Sequence, residues 1–236
     1  MLNINSFSIS IREQNELFKK LLRPLALLLI LMTVQRWLFE MVANLEARFA
    51  IDSSDYLQIY LMGFRFDLLI IAFILGPLFF LIPFKFSFKI KITKIYLSLM
   101  WVLVSVLNFI NIPYFSINQR FINQPDWEKL NIKQIFEIWF TGQEVSIKFL
   151  FFIFTFLILS RGILAIVKIN AMKNTSTSGI KLELLKLIIF LIAVIFCARG
   201  KLGSHHLRRE DSYIVLNPSW NELSLNPQWS FNKDDR

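Results

Sequence analysis

Arg65 and Asp67 have the plainest chemical potential in this chain. They stand in Gly63-Phe64-Arg65-Phe66-Asp67-Leu68, at the mouth of an apolar run. An ionised side chain beside hydrocarbon is costly unless it is paired or hydrated. Residues two apart on a helix do not face each other, so each of the two needs its own partner. The planar fork of Arg65 suits a lipid phosphate, and the plainer role is an anchor at the membrane surface. The same two roles, headgroup contact or interface anchor, apply to Asp67, Arg120, Trp127 and Trp139.

Other candidates weaken under inspection. Arg36 and Glu40 are four apart in an apolar run, where an i,i+4 pair would lower the cost of burying both. Arg161 lies inside another run and either pairs with an acid or snorkels to the nearer surface. His205-His206 near Asp211 is a poor metal set, since adjacent histidines rarely converge on one ion and no cysteine or third histidine supports them. Ser146, Thr155 and Ser160 are expected to bond backbone carbonyls. There is no phosphate-binding glycine loop, zinc motif, dinucleotide fingerprint or nucleophile–base pair. The sequence therefore offers no catalytic residue and no metal ligand.

These residues must be positioned by helices in a membrane. The 236 residues are 55% hydrophobic, with 25 phenylalanines, 18% charged residues and a mean hydropathy of +0.52. The apolar residues form long blocks of the length that crosses a hydrocarbon layer about 30 Å thick. The predicted fold is an all-α membrane protein of about five transmembrane helices, spanning residues 21–43, 66–84, 95–112, 147–169 and 182–198. Backbone groups in lipid must bond internally, and the strict alternation of barrel strands is absent. A signal peptide is the rival for the first block, but its basic residues start late and no small-residue cleavage site follows. Gly76-Pro77 is a candidate kink, and Asn108, Asn111 and Pro113 are expected to end the third span. The single cysteine, Cys197, excludes an intrachain disulfide.

The formal charge of +9 does not point to nucleic acid, because the basic residues cluster beside the apolar blocks. Residues 1–20 form a basic arm. With the loops around Lys85–Lys94 and Lys168–Lys181 and with Lys186, that side of a five-span chain holds twelve basic residues against three acids. Lysine and arginine accumulate on the cytoplasmic side, so the N-terminus is expected inside and the C-terminus outside, although Arg199, Lys201, Arg208 and Arg209 run against the rule. Ile132, Ile135, Phe136, Trp139 and Phe140 share one helical face. With Trp127 they predict an amphipathic outer helix over about 126–141, lying in the headgroup layer or packed on an outer loop. Residues 199–236 form a polar tail, with turn-favouring Asn217-Pro218 and Asn226-Pro227, too short to fold on its own.

Several landmarks together resemble the membrane portion of the sulfatase-like lipoteichoic acid synthase family of phosphoglycerol transferases. They are the Gly63–Leu68 segment, Asn108 through Pro113-Tyr114-Phe115 with Arg120, and three tail pieces: Ala198–Gly203, Glu210–Tyr213 and Asn221–Pro227. The resemblance covers most of the chain. It implies a multi-pass protein of a bacterial cytoplasmic membrane, followed by an extracytoplasmic α/β domain with a threonine nucleophile and a divalent metal. No residue up to Arg236 matches that domain, so the metal cofactor would belong to it and no transferase activity is expected of this chain alone. The implied partners are membrane lipids and a separately encoded sulfatase-like catalytic domain. The alternative is a non-enzymatic envelope scaffold. A transporter is least supported, since the halves show no repeat symmetry.

Overall fold

The computed structural model describes residues 4–43, 50–81, 89–129, 145–168 and 208–225, with positions 131, 133, 134, 137, 185, 188, 189, 192, 194–197, 199 and 227. These residues are helical or connecting, with no strand among them. Among the described residues four long helices carry the fold: α1 (Ile4–Ala43), α2 (Ser53–Leu81), α3 (Lys89–Asn118) and α5 (Val145–Val167). Between α3 and α5 lies the short α4 (Gln124–Lys129), and the tail adds a 3-10 turn (Arg209–Ser212) and α6 (Pro218–Ser224). The stretches Lys19–Ala43, Ser53–Leu78 and Ile90–Asn118 are long and apolar enough to cross a membrane, and α5 adds a shorter apolar stretch, Phe152–Val167.

Large apolar side chains occupy both faces of these helices. On α1, Leu21, Leu25, Leu28, Leu31, Gln35, Phe39 and Val42 are buried at spacings of three and four, while Leu22, Ile30, Trp37 and Met41 are exposed. A soluble helix would place charge on the second face; a helix surrounded by lipid need not. On α3, Leu97, Trp101, Val104, Ile112 and Phe115 are buried, and Ile95, Leu99, Val102, Leu103 and Val106 are exposed.

Side-chain contacts fix the register. Phe39 of α1 packs on Phe115 of α3 with centroids 5.3 Å apart, and Leu21 and Leu97 share a cluster at the other end, so α1 and α3 run parallel. Phe109 meets Phe152 of α5 at 5.6 Å, whereas Lys94 Nζ donates to the Val167 carbonyl at 2.7 Å, so α5 runs antiparallel to α3. Helix α2 packs on α1 and α3. The core divides into two apolar clusters. One holds the buried apolar residues between Leu21 and Met32, between Ile71 and Leu78 and between Leu97 and Val104, with Ile166. The other holds Phe39, Val42 and Ala43 of α1, Ile59, Phe66 and Leu69 of α2, Ile112 and Phe115 of α3, Phe121, and three residues of the tail, Trp220, Leu223 and Leu225. The second cluster defines the tail end of the bundle.

The helices exceed their expected limits. Residues 4–20, expected as an arm, continue into α1, and residues 53–65, expected as an outer connection, are the first part of α2. Hydropathy marks where a helix meets hydrocarbon, not where its hydrogen-bond ladder stops. Pro113 does not end the third span, which runs to Asn118. Beyond it, the Ser116 hydroxyl donates to the Pro113 carbonyl and Asn118 Nδ2 to the Tyr114 carbonyl, giving the last turn side-chain partners. Chain reversal follows at Gln119, whose φ is 52°. In the expected fifth span, Leu185, Ile188, Ile189, Ile192 and 194–197 are helical. In the expected amphipathic helix, Asn131 accepts from the Lys133 N–H and donates its own N–H to Gln134, a reciprocal helix cap. Lys133, Gln134 and Glu137 are helical and exposed beyond it. Trp139 and the apolar residues 132, 135, 136 and 140 lie outside the described residues.

Candidate functional site

The chemistry at the tail end is built around Arg36. Its guanidinium donates from Nη1 and Nη2 to both Asp67 carboxylate oxygens at 2.9 and 2.8 Å. Its Nε donates to the Leu223 carbonyl of α6 at 3.0 Å. Arg36 is 3% exposed and Asp67 is fully buried. A two-pronged pair with matched geometry offsets much of the cost of removing both charges from water. The i,i+4 pair expected between Arg36 and Glu40 is not formed. Glu40 instead accepts from the Tyr56 hydroxyl at 3.0 Å and the Tyr60 hydroxyl at 2.5 Å, both from α2. The reason is geometric: the Asp67 carboxylate on the facing helix meets the guanidinium fork squarely.

Gly63 makes room for this arrangement. A Cβ there would lie 2.2 Å from Arg36 Nε and 2.3 Å from its Cζ. Arginine side chains usually yield, but this one is held at three points. Gly63→Ala is therefore expected to unseat Arg36 from the Leu223 carbonyl, costing about 1.5–3 kcal/mol, the scale of a charged hydrogen bond. A chemical unfolding midpoint in detergent micelles, compared with wild type, measures it.

The tail is seated by apolar burial as well. Trp220, Leu223 and Leu225 are at most 1% exposed, and the Trp220 ring meets Tyr56 edge-on at 5.9 Å. Asn217 starts α6 by accepting from the Ser219 and Trp220 N–H groups, with Pro218 in the first helical turn where no N–H is needed. Asn221 Oδ1 accepts from the Ile214 and Val215 N–H groups, and Arg209 pairs with Glu222. Ser219 Oγ bonds Gln119 Oε1 at 2.9 Å, tying the tail to the reversal after α3. The turn expected at Asn217-Pro218 is thus a helix start. The tail, too short for a core of its own, borrows the bundle's.

Arg120 sits in a further, more open ion pair. It donates to both oxygens of Asp126 at 2.6 and 2.9 Å, with its guanidinium carbon 5.5 Å from the Tyr114 ring centre. Asp126 also accepts from the Asn123 N–H, and Asn123 Oδ1 accepts from the Asp126 N–H, a reciprocal cap on α4. Burial alone would raise the Asp126 carboxyl, but Arg120, the Asn123 N–H and the Tyr114 hydroxyl together hold it below its ordinary value of 3.8. A carboxyl lowered by folding stabilises the fold above its unfolded pKa and loses that contribution as pH falls through its folded pKa. The stability gap between wild type and Asp126→Asn should therefore be constant down to about pH 4 and close below it. Unfolding titrations across that range check this.

Of the residues singled out in the sequence, Arg65 is exposed, Asp67 is enclosed within the bundle, Arg120 is half-exposed beside Asp126 and Trp127 is half-buried near the start of α4. Arg161 is exposed on α5, and His205 and His206 lie outside the described residues. Among the described residues no three His, Cys, Asp or Glu side chains form a group able to hold a metal. The structure brings Asp67 to Arg36 and leaves Arg65 turned outward. Compared with known proteins, the chain matches no family model, no curated sequence and no solved structure.

Proposed function

We propose that this chain is the membrane module of a sulfatase-like transferase of phosphoglycerol or a related lipid headgroup, serving bacterial envelope synthesis. In this reading five spans cross the cytoplasmic membrane, the N-terminus faces the cytosol and the tail end faces outward. The observation that carries the reading is the seating of the tail. Residues 219–225 are all buried although four of them are polar or charged, and Leu223 is bonded to a guanidinium within the bundle. A passive connector would stay in water; this one is held in a fixed place at the bundle's end. A catalytic domain joined to or docked on such a tail would be held over the lipid headgroups. Exposed Arg65, with exposed Phe64 and Trp37 at the same end, suits a lipid phosphate there.

The test is reconstitution. The chain is co-expressed with a sulfatase-like catalytic domain and incorporated into vesicles containing phosphatidylglycerol. Association of the two, with transfer of glycerol phosphate that needs both, is the expected result; no association and no dependence on this chain would refute the reading. Reporter fusions separate topology from activity. Positions 89 and 173 should report the cytosolic face and position 226 the opposite one.

A further inference from the structure

Midway between the two apolar clusters, buried polar atoms lack protein partners. Gln35 is 1% exposed and neither its Oε1 nor its Nε2 has a partner. Ser105 Oγ and Thr155 Oγ1 are likewise unpartnered, in side chains 3% and 5% exposed. The hydroxyls are the telling ones. Thr33 and Ser160 donate to carbonyls of the preceding turn, as hydroxyls in membrane helices commonly do. Thr155 was expected to do the same and does not.

The three side chains come from three helices that pack on one another, α1, α3 and α5. Their backbone heights fall within about two helical turns, with Gln35 the highest. Phe109 is level with Phe152 and Trp101 with Gly162, which puts Thr155 between Ser105 and Asn108. Phe39 is level with Phe115, so Gln35 lies about one turn below, near Asn111. A helical side chain leans toward its helix N-terminus, which carries the Gln35 amide toward the level of the hydroxyls, within reach through bridging water. All three positions lie on the buried stripes of their helices.

We propose that this layer is a binding site for a small group of water molecules, enclosed between α1, α3 and α5 at mid-depth in the bundle. The Gln35 amide offers two donors and an acceptor, and the two hydroxyls offer a donor and acceptors each, enough for waters with two to four partners apiece. Apolar residues bound the layer on both sides, Met32 and Val104 below, Phe39 and Ile112 above. Its occupants are therefore trapped rather than part of an open channel. The site lies next in sequence to Arg36, so it also places polarisable groups beside the buried ion pair.

The experiment is water-edited solid-state NMR on the whole chain in lipid bilayers. Val34-Gln35 is the sole Val-Gln dipeptide in the sequence, so labelling valine carbonyl carbon and glutamine nitrogen assigns Gln35 without a substitution. Magnetisation should reach the Gln35 side-chain amide from water several-fold faster than it reaches the Leu28 and Leu31 amides. Thr155→Val, which keeps the side-chain shape, should slow that transfer. Transfer as slow as at the leucines, or arriving first from lipid chain protons, would overturn the proposal.

Discussion

Replacing Asp67 with alanine while Arg36 is kept will destabilise the bundle by about 3–5 kcal/mol, the scale for leaving one partner of a buried ion pair without the other. The guanidinium is shut off from bulk solvent, at 3% exposure, and its remaining bond, to the Leu223 carbonyl, cannot balance a full charge. The double variant Arg36→Met with Asp67→Leu should behave differently. It removes both charges, replaces them with apolar volume and is expected to lie within about 1–2 kcal/mol of wild type or above it. The double variant still loses the Leu223 bond, so its tail should be more readily released even where its helices stay packed. Denaturant titration in bicelles gives the stabilities. Tail release is read separately by proteolysis, and the two readouts should diverge only in the double variant.

Trp220→Ala should have a comparable effect, confined to the tail. The indole is fully buried against Tyr56 and the tail-end cluster. Truncating a buried tryptophan costs about 3–5 kcal/mol. The docked state should therefore lose about two to three and a half orders of magnitude in population, at about 1.4 kcal/mol per tenfold. The observable is cleavage by trypsin after Arg209, which is tied to Glu222 in the docked tail. Cleavage should accelerate sharply while α1, α2 and α3 stay intact. A conservative Trp220→Phe should recover most of the protection, since it restores most of the buried ring.

The helices were legible because lipid imposes a length and a composition on whatever crosses it, and α1, α2 and α3 each carry a long apolar stretch. Their ends were not. The first part of α1 is polar, and that of α2 mixes apolar residues with Asp55 and Arg65; charge marks an expected span limit but does not distinguish helix from loop. The site was half legible. Asp67 needs a partner other than Arg65, but that Arg36 pairs with Asp67 rather than with Glu40 depends on how α1 and α2 face each other, which no local pattern encodes. The start of α6 is hidden in the sequence because Asn217-Pro218 looks like a turn. The same two residues are also an N-cap followed by a first-turn proline, and the tryptophan two residues on gave the signal that the helix had something to bury. Thr155 was read from the habit of hydroxyls in helices; its departure from that habit is visible only in three dimensions.

The seating of the tail is the claim on which the rest depends, and cysteine accessibility tests it most directly. Cys197 is the sole cysteine, so a Cys197→Ala background reports only what is introduced. Leu223 is fully buried and Leu216, a few residues earlier in the same tail, is fully exposed. In intact membranes, Leu216→Cys should react promptly with a membrane-impermeant maleimide, while Leu223→Cys should stay unlabelled until the protein is denatured. Equal labelling of the two would mean that the tail lies free in water and that the bundle holds nothing in place.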